Sequence, residues 1–304
     1  MVDTLPVHDV ELVAAEHDFR LRVYPAPSPD GTVLVWMHGG AFMFGDIDMP
    51  EADETARQLA SRGTTVVSVD YTLAPIDAVA ALPVPDPVEG MPSPDELLAS
   101  LGGDRARAPY PVASLQIVAA FDWACEHAAE FGGRADAVAL GGASAGANLA
   151  AGAALRLRDR DGATPRAQVL IYPVLHAALP EPDDELEALL AQMSPGLRFP
   201  PEASRAINAN YLGDALSDEL YAFPGGHDVR GVAPALIVTS EGDELRPSAE
   251  AYVGDLARSG VDVEYVKERG AIHGFLNVVG DPAAVRTADR ISRFVNERAR
   301  EVSA

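Results

Sequence analysis

Gly142-Ala143-Ser144-Ala145-Gly146 sets a serine among residues with little or no side chain, between an apolar run at 137–140 and a helix-like stretch at 145–158. A hydroxyl held on a sharp strand-to-helix turn is a candidate nucleophile. The turn exposes Oγ, and the helix start brings backbone N–H groups beside it. Glycines at 142 and 146 let strand and helix approach closely while the serine takes a strained conformation. A small-residue turn is also an ordinary packing solution, so the pentapeptide gains weight only from its surroundings. His38-Gly39-Gly40-Ala41-Phe42, directly after an apolar run at 32–37, supplies the first support. A loop of small residues at a strand end aims N–H groups at an oxyanion and complements the N–H of Ala145.

A serine nucleophile needs a base, and the base needs an orienting carboxylate. On a strand–turn–helix elbow the three follow in the chain order Ser, acid, His, which places the base after Ser144. The histidines there are His176, His227 and His273. His273 lies in Gly270-Ala271-Ile272-His273-Gly274-Phe275, a glycine-flanked loop after the last strand-like run, where such a base belongs. His176 and His227 lie in or beside an irregular segment and suit packing or surface roles. His38 precedes Ser144 and suits a structural part in its loop. For the acid, the run 235–239 ends in Ser240-Glu241-Gly242-Asp243-Glu244-Leu245. Asp243 is the choice, with Glu241 and Glu244 as rivals whose ordinary role is that of solvated carboxylates. Phe42, Phe44, Leu175 and Phe275 flank these motifs and are candidates for an apolar substrate pocket; core packing explains any one of them equally well.

The elements that must carry these residues alternate along the chain. Runs at 10–14 and 19–24 open it as an antiparallel pair. Strand-like runs then recur at 32–37, 64–69, 137–140, 167–172, 235–239 and 261–266. Helix-like stretches at 53–61, 111–129, 145–158 and 247–259 separate them. Strands alternating with helices predict a mostly parallel sheet with crossover helices, and runs apolar on both faces predict strands covered on both sides. Two stretches break the rhythm: the Pro-, Ala- and Asp-rich 76–109, and 176–226 with helix candidates at 183–193 and 201–211. Both are candidates for a lid within one domain spanning 1–304.

With 48% hydrophobic and 23% charged residues, the 304-residue chain can bury a sizeable core. A formal net charge of −23 argues against nucleic acid or an anionic membrane as partner. Cys125 is the single cysteine, so neither an intramolecular disulfide nor a cysteine metal site is expected, and an inert buried thiol is. Acidic residues scattered through 1–19 do not suit a signal peptide, and no apolar run is long enough to span a bilayer. A soluble cytoplasmic protein is expected. Strand 261–266 and a terminal helix at 283–300 offer a surface for pairing two subunits.

Together these motifs resemble those of the hormone-sensitive lipase family of α/β-hydrolases. Asp70-Tyr71-Thr72-Leu73-Ala74-Pro75, Tyr110-Pro111, Leu170-Ile171-Tyr172-Pro173-Val174 and Asp243-Glu244-Leu245-Arg246 are similar to further segments of that family. The resemblance implies an α/β-hydrolase fold with a lid and a carboxylesterase acting on small to medium esters, with no metal or other cofactor. By it Ser144, Asp243 and His273 form a triad. Gly40, Ala41 and Ala145 supply oxyanion N–H groups, and Gly39 positions that loop. The chain departs from the family pattern at Ala143 and Ala147, where Asp and Gly are usual, and at Ile76, where Glu is. Amide or lactone hydrolysis and perhydrolysis would use the same triad. A noncatalytic ligand-binding role is disfavoured by the retained His273.

Overall fold

The computed structural model describes residues 6–76, 105–193, 198 and 200–301. The chain opens with β1 (His8–Ala14) and β2 (His17–Tyr24), paired antiparallel. Ala15 and Glu16 between them both have positive φ, 51° and 64°. This is the backbone of a two-residue hairpin turn whose twist matches its strands. Then follow β3 (Val33–Met37), α1 (Asp53–Ser61), β4 (Thr65–Asp70), α2 (Val112–His127), β5 (Val138–Ala143) and α3 (Ala145–Arg158). After these come β6 (Gln168–Ile171), α4 (Asp184–Leu190), α5 (Pro201–Leu212), β7 (Ala235–Gly242), α6 (Arg246–Arg258), β8 (Val263–Ile272) and α7 (Pro282–Arg300).

Among the described residues the strands form one eight-stranded sheet in the order β1-β2-β4-β3-β5-β6-β7-β8. The β1–β2 and β2–β4 pairs are antiparallel and every later pair is parallel. Side-chain alternation explains why the central strands read as unbroken apolar runs. Val35 and Met37 of β3 enter a cluster with Leu140, Leu170 and Ile237, covered by Ile117 and Phe121 of α2 and Leu149 of α3. Leu34 and Trp36 face the opposite side and pack with Val169, Leu236 and Val238 under Leu59 of α1 and Ile291 and Phe294 of α7. Residues rich in Ala and Gly let α3 lie close to the sheet, and twelve of its residues are buried.

The mostly parallel sheet flanked by helices is the architecture read from the sequence. One element differs: β8 runs to Ile272 rather than ending near 266, with an irregularity between Ser240 and Gly242 opposite its end. His273 therefore follows the strand directly, without an intervening loop. Residues 77–104 of the 76–109 lid candidate lie outside the described residues. Its described end is tied back by Arg105 to Asp70 (2.7 Å) and by Arg107, which donates to the carbonyls of Met43 and Ala74 at 2.9 Å each. The 176–226 candidate holds α4 and α5. Arg246, fully buried, pairs with Asp183 at the start of α4 (3.0 Å). Cys125 is half-buried, with its thiol pushed up to about 11 by desolvation, which suits an inert role. Among the described residues, no helix is long and apolar enough to cross a membrane.

Candidate active site

In a parallel sheet all carboxyl ends lie along one edge, and loops leaving them converge on one crevice. Here β3 ends at Met37 and gives way to His38; β5 ends at Ala143 and gives way to Ser144. Strand β7 is followed by Asp243 and β8 by His273. Residues more than 200 positions apart thereby share a cleft of about 280 Å³, lined by Gly40, Ala41, Ser144 and His273 among others.

Ser144 sits at the start of α3 with φ 54° and ψ −118°, a conformation that side chains rarely adopt. The turn packs so close to β3 that only glycine fits at 146, where a Cβ would collide with the carbonyl oxygens of Met37 and His38. Ser144 N–H donates to the Ile171 carbonyl at 2.8 Å, tying the elbow to β6. Its Oγ lies 3.0 Å from His273 Nε2, and His273 Nδ1 lies 2.8 Å from Asp243 Oδ2. Asp243 is buried and its other oxygen accepts from Leu245 N–H at 2.9 Å, so the carboxylate is fixed. Because a carboxylate only accepts, Nδ1 carries the proton toward it and Nε2 is left to accept from the serine hydroxyl. Burial disfavours the imidazolium, but the charge and hydrogen bond of Asp243 outweigh it, helped by Glu51 and Glu244; the pKa of His273 is raised above the ordinary 6.5.

The rival carboxylates are engaged elsewhere. Glu241 accepts from Gly270 N–H at 2.8 Å, and Glu244 pairs with Arg198 at 2.7 Å. His176 meets Ser248 Oγ at 2.9 Å, and neither it nor His227 lines the cleft. His38 is fully buried, stacked on Tyr71 with ring centroids 4.5 Å apart. Desolvation lowers its pKa, so it stays neutral, and its Nδ1–H donates to the Gly39 carbonyl at 2.7 Å.

That bond bears on which way the loop's N–H groups point. In a trans peptide the C=O of one residue and the N–H of the next face opposite ways. The Gly39 carbonyl is drawn to His38 Nδ1 and to Tyr71 O–H (3.3 Å), which turns the N–H of Gly40 away from them. The Gly40 carbonyl accepts from Met43 and Phe44 N–H at 3.0 and 2.8 Å, which turns the N–H of Ala41 the other way. Gly40 has φ 107°, and a Cβ there would collide with the Phe44 carbonyl, so no other residue fits. The N–H of Gly39, by contrast, donates to Glu51 Oε1 at 2.5 Å and is committed to that carboxylate. Ala145 opens α3, and a first-turn N–H has no partner within its own helix.

Of the four pocket candidates, Phe42 and Phe44 line the cleft, the former stacked on Tyr211 at 3.9 Å. Leu175 and Phe275 do not. Leu175 is fully buried in the core, and Phe275 packs edge-on against Tyr172 at 5.2 Å. Their places are taken by Val174 and Leu245, and by Ile207 from α5. The sequence reading also missed Glu51, a buried carboxylate on the cleft wall.

A family model described as alpha/beta hydrolase fold matches residues 34–83 and 106–277. The chain is 30% identical to carboxylesterase NlhH of Mycobacterium tuberculosis over 288 residues, covering 90% of this chain and 76% of that protein. It is 27% identical to an ethyl acetate hydrolase of Pseudomonas putida, covering 90% and 76%. Among solved structures it resembles EstE1, a thermostable carboxylesterase cloned from a metagenomic library. There the TM-score is 0.77 at 28% identity, over 97% of this chain and 89% of that one. An esterase of Pyrobaculum calidifontis matches with TM-score 0.76 at 26% identity, over 97% and 85%.

Proposed function

The chain belongs to the hormone-sensitive lipase family of α/β-hydrolases, a carboxylic ester hydrolase by that kinship, and we propose that it cleaves small to medium esters through an acyl-enzyme on Ser144. The observation that carries this reading is the Ser144–His273–Asp243 line, at 3.0 and 2.8 Å, opening on the cleft. Ser144 Oγ attacks the ester carbonyl while His273 Nε2 takes its proton; Asp243 holds the ring and stabilises the imidazolium. The carbonyl π electrons move to oxygen, and the N–H groups of Gly40, Ala41 and Ala145 receive that oxyanion. Collapse expels the alcohol, protonated by His273. Water, deprotonated by the same nitrogen, then releases the acid and restores Ser144.

The walls support a small to medium substrate. A cleft of about 280 Å³ lies at the small end of ligand sites, and Phe42, Phe44, Val174, Ile207 and Leu245 make its lining apolar. Helix α5 closes one side of the cleft, contributing Ser204, Ile207 and Asn208. The relative named ethyl acetate hydrolase fits a preference for short chains. With p-nitrophenyl esters of graded acyl length, kcat/KM for acetate to hexanoate is expected to exceed that for laurate by at least about tenfold. Laurate as the fastest substrate, or no turnover of any member, would contradict the proposal.

The electrostatics of His273 give a pH prediction. The base must be neutral to accept the serine proton, so activity is lost as pH falls through its pKa. With that pKa raised, the acid limb of kcat/KM should have its midpoint above 6.5. A midpoint below about 6, on the ordinary scale of histidine titration, would be inconsistent with Asp243 and Glu51 facing the base.

A further inference from the structure

Glu51 stands outside the hydroxyl–imidazole–carboxylate line, yet it lines the same cleft and is only 2% exposed. Among the described residues, no arginine or lysine pairs with it; all its partners are neutral donors. Oε1 accepts from Gly39 N–H at 2.5 Å, and Oε2 accepts from Tyr172 O–H at 2.5 Å and Asn277 Nδ2 at 3.3 Å. Three donors on one group match the acceptor-only, ionised form of a carboxylate. A buried carboxylate without a cation is costly to keep, and each donor offsets part of that cost. Those donors come from three separate segments: the loop after β3, the end of β6, and the turn that follows His273.

The surroundings are built around this group. A Cβ at Gly39 would come within 2.5 Å of Glu51 Oε1 and 3.1 Å of Ser144 Cβ, so a side chain there would have to displace the Glu51 carboxylate. Tyr172, which no step of the proposed reaction uses, has φ 36°, a strained value that persists only where neighbours over-determine it. Its N–H is held by the Val238 carbonyl at 2.6 Å and its hydroxyl by Glu51; its ring packs against His273 at 4.8 Å. Burial and the charge of Glu51 raise the pKa of Tyr172, so its hydroxyl stays a donor.

We propose that Glu51 is a positioning residue whose carboxylate clamps the oxyanion loop, through Gly39, to the segment after β6, through Tyr172, and to the base loop, through Asn277. The inference rests on the reading of Ser144 and His273 given above. By holding Gly39, Glu51 fixes the peptide plane next to the one that aims the N–H of Gly40. By holding Tyr172 it fixes the ring that His273 packs against, and by holding Asn277 it ties down the turn that follows His273. Its charge also favours the imidazolium formed on proton transfer. The charged and titratable groups facing His273 are Asp243 and Glu244 after β7, Glu51 before α1, and Tyr172 after β6. Those facing Glu51 also include His38 and Tyr71.

The test compares Glu51→Ala and Glu51→Gln with p-nitrophenyl acetate across pH, with circular dichroism and thermal melting as the control for folding. Glu51→Ala should lower kcat by about 100-fold or more, the scale of losing one oxyanion donor, with KM changed by less than about threefold. Glu51→Gln keeps an oxygen for Gly39 but removes the charge. It should recover much of that loss while moving the acid limb to lower pH by about half a unit or more. A folded Glu51→Ala enzyme with kcat within about threefold of the parent overturns the clamp. So does Glu51→Gln with both kcat and acid limb unchanged, and this variant decides the matter if Glu51→Ala does not fold. Should Ser144→Ala keep its activity, the underlying reading fails instead; a dead Ser144→Ala beside parent-like Glu51 variants sinks the clamp alone.

Discussion

Ser144→Ala is expected to lower kcat on p-nitrophenyl acetate by about 10⁴-fold or more while leaving the fold intact. In the proposed mechanism the hydroxyl makes the bond to carbon, and it is this oxygen that His273 Nε2 faces, at 3.0 Å. What remains is the modest catalysis available from binding and the oxyanion N–H groups alone. Structural damage should be slight, since the elbow is fixed by backbone. Ser144 N–H stays on Ile171, and the carbonyls of Met37 and His38 still crowd Gly146. Steady-state kinetics with a circular dichroism control checks this. A folded variant with activity within tenfold of the parent, about 1.4 kcal/mol in the barrier, would remove Ser144 from the role.

Asp243→Asn carries the second large effect, about 10⁴-fold in kcat. An asparagine fits the same space, but its amide can present N–H₂ to His273 Nδ1. That would favour the tautomer with the proton on Nε2, where it cannot accept from Ser144. The carboxylate that raises the pKa of His273 disappears as well. Glu241→Gln and Glu244→Gln should stay within about tenfold of the parent, because those carboxylates bond Gly270 and Arg198 rather than the imidazole. Combining Ser144→Ala with Asp243→Asn should cost little more than Ser144→Ala alone, since the three groups act as a unit. Larger losses from Glu241→Gln or Glu244→Gln than from Asp243→Asn would move the acid to a rival.

The legible part of this molecule is the part whose signal is local. Strand runs apolar on both faces, small residues at 142 and 146, and two glycines after His38 each announce a backbone need that nearby residues satisfy. The chain order of Ser144, Asp243 and His273 then restricts the search to a few residues. Signals that depend on facing were harder to read. Val174 and Leu175 are sequence neighbours beside one motif, yet one borders the cleft and the other the core. Phe275 lies two residues past His273, but the turn after Gly274 sends it under Tyr172. Glu51 was not legible at all. It lies among the acidic residues just before the helix-like stretch at 53–61, where nothing local singles it out, and its partners Tyr172 and Asn277 are 121 and 226 residues away. Only the fold brings a carboxylate from that loop beneath the nucleophile.

Which atom becomes acylated is reported directly by a covalent probe. A fluorophosphonate, whose phosphorus is attacked as an ester carbonyl would be, should add one equivalent to the intact protein. Peptide mapping should find it on Ser144, with labelling slowed by p-nitrophenyl acetate present as competitor and lost in Ser144→Ala. Active enzyme that takes up no label, or takes it on another residue with Ser144 unmodified, would contradict the account.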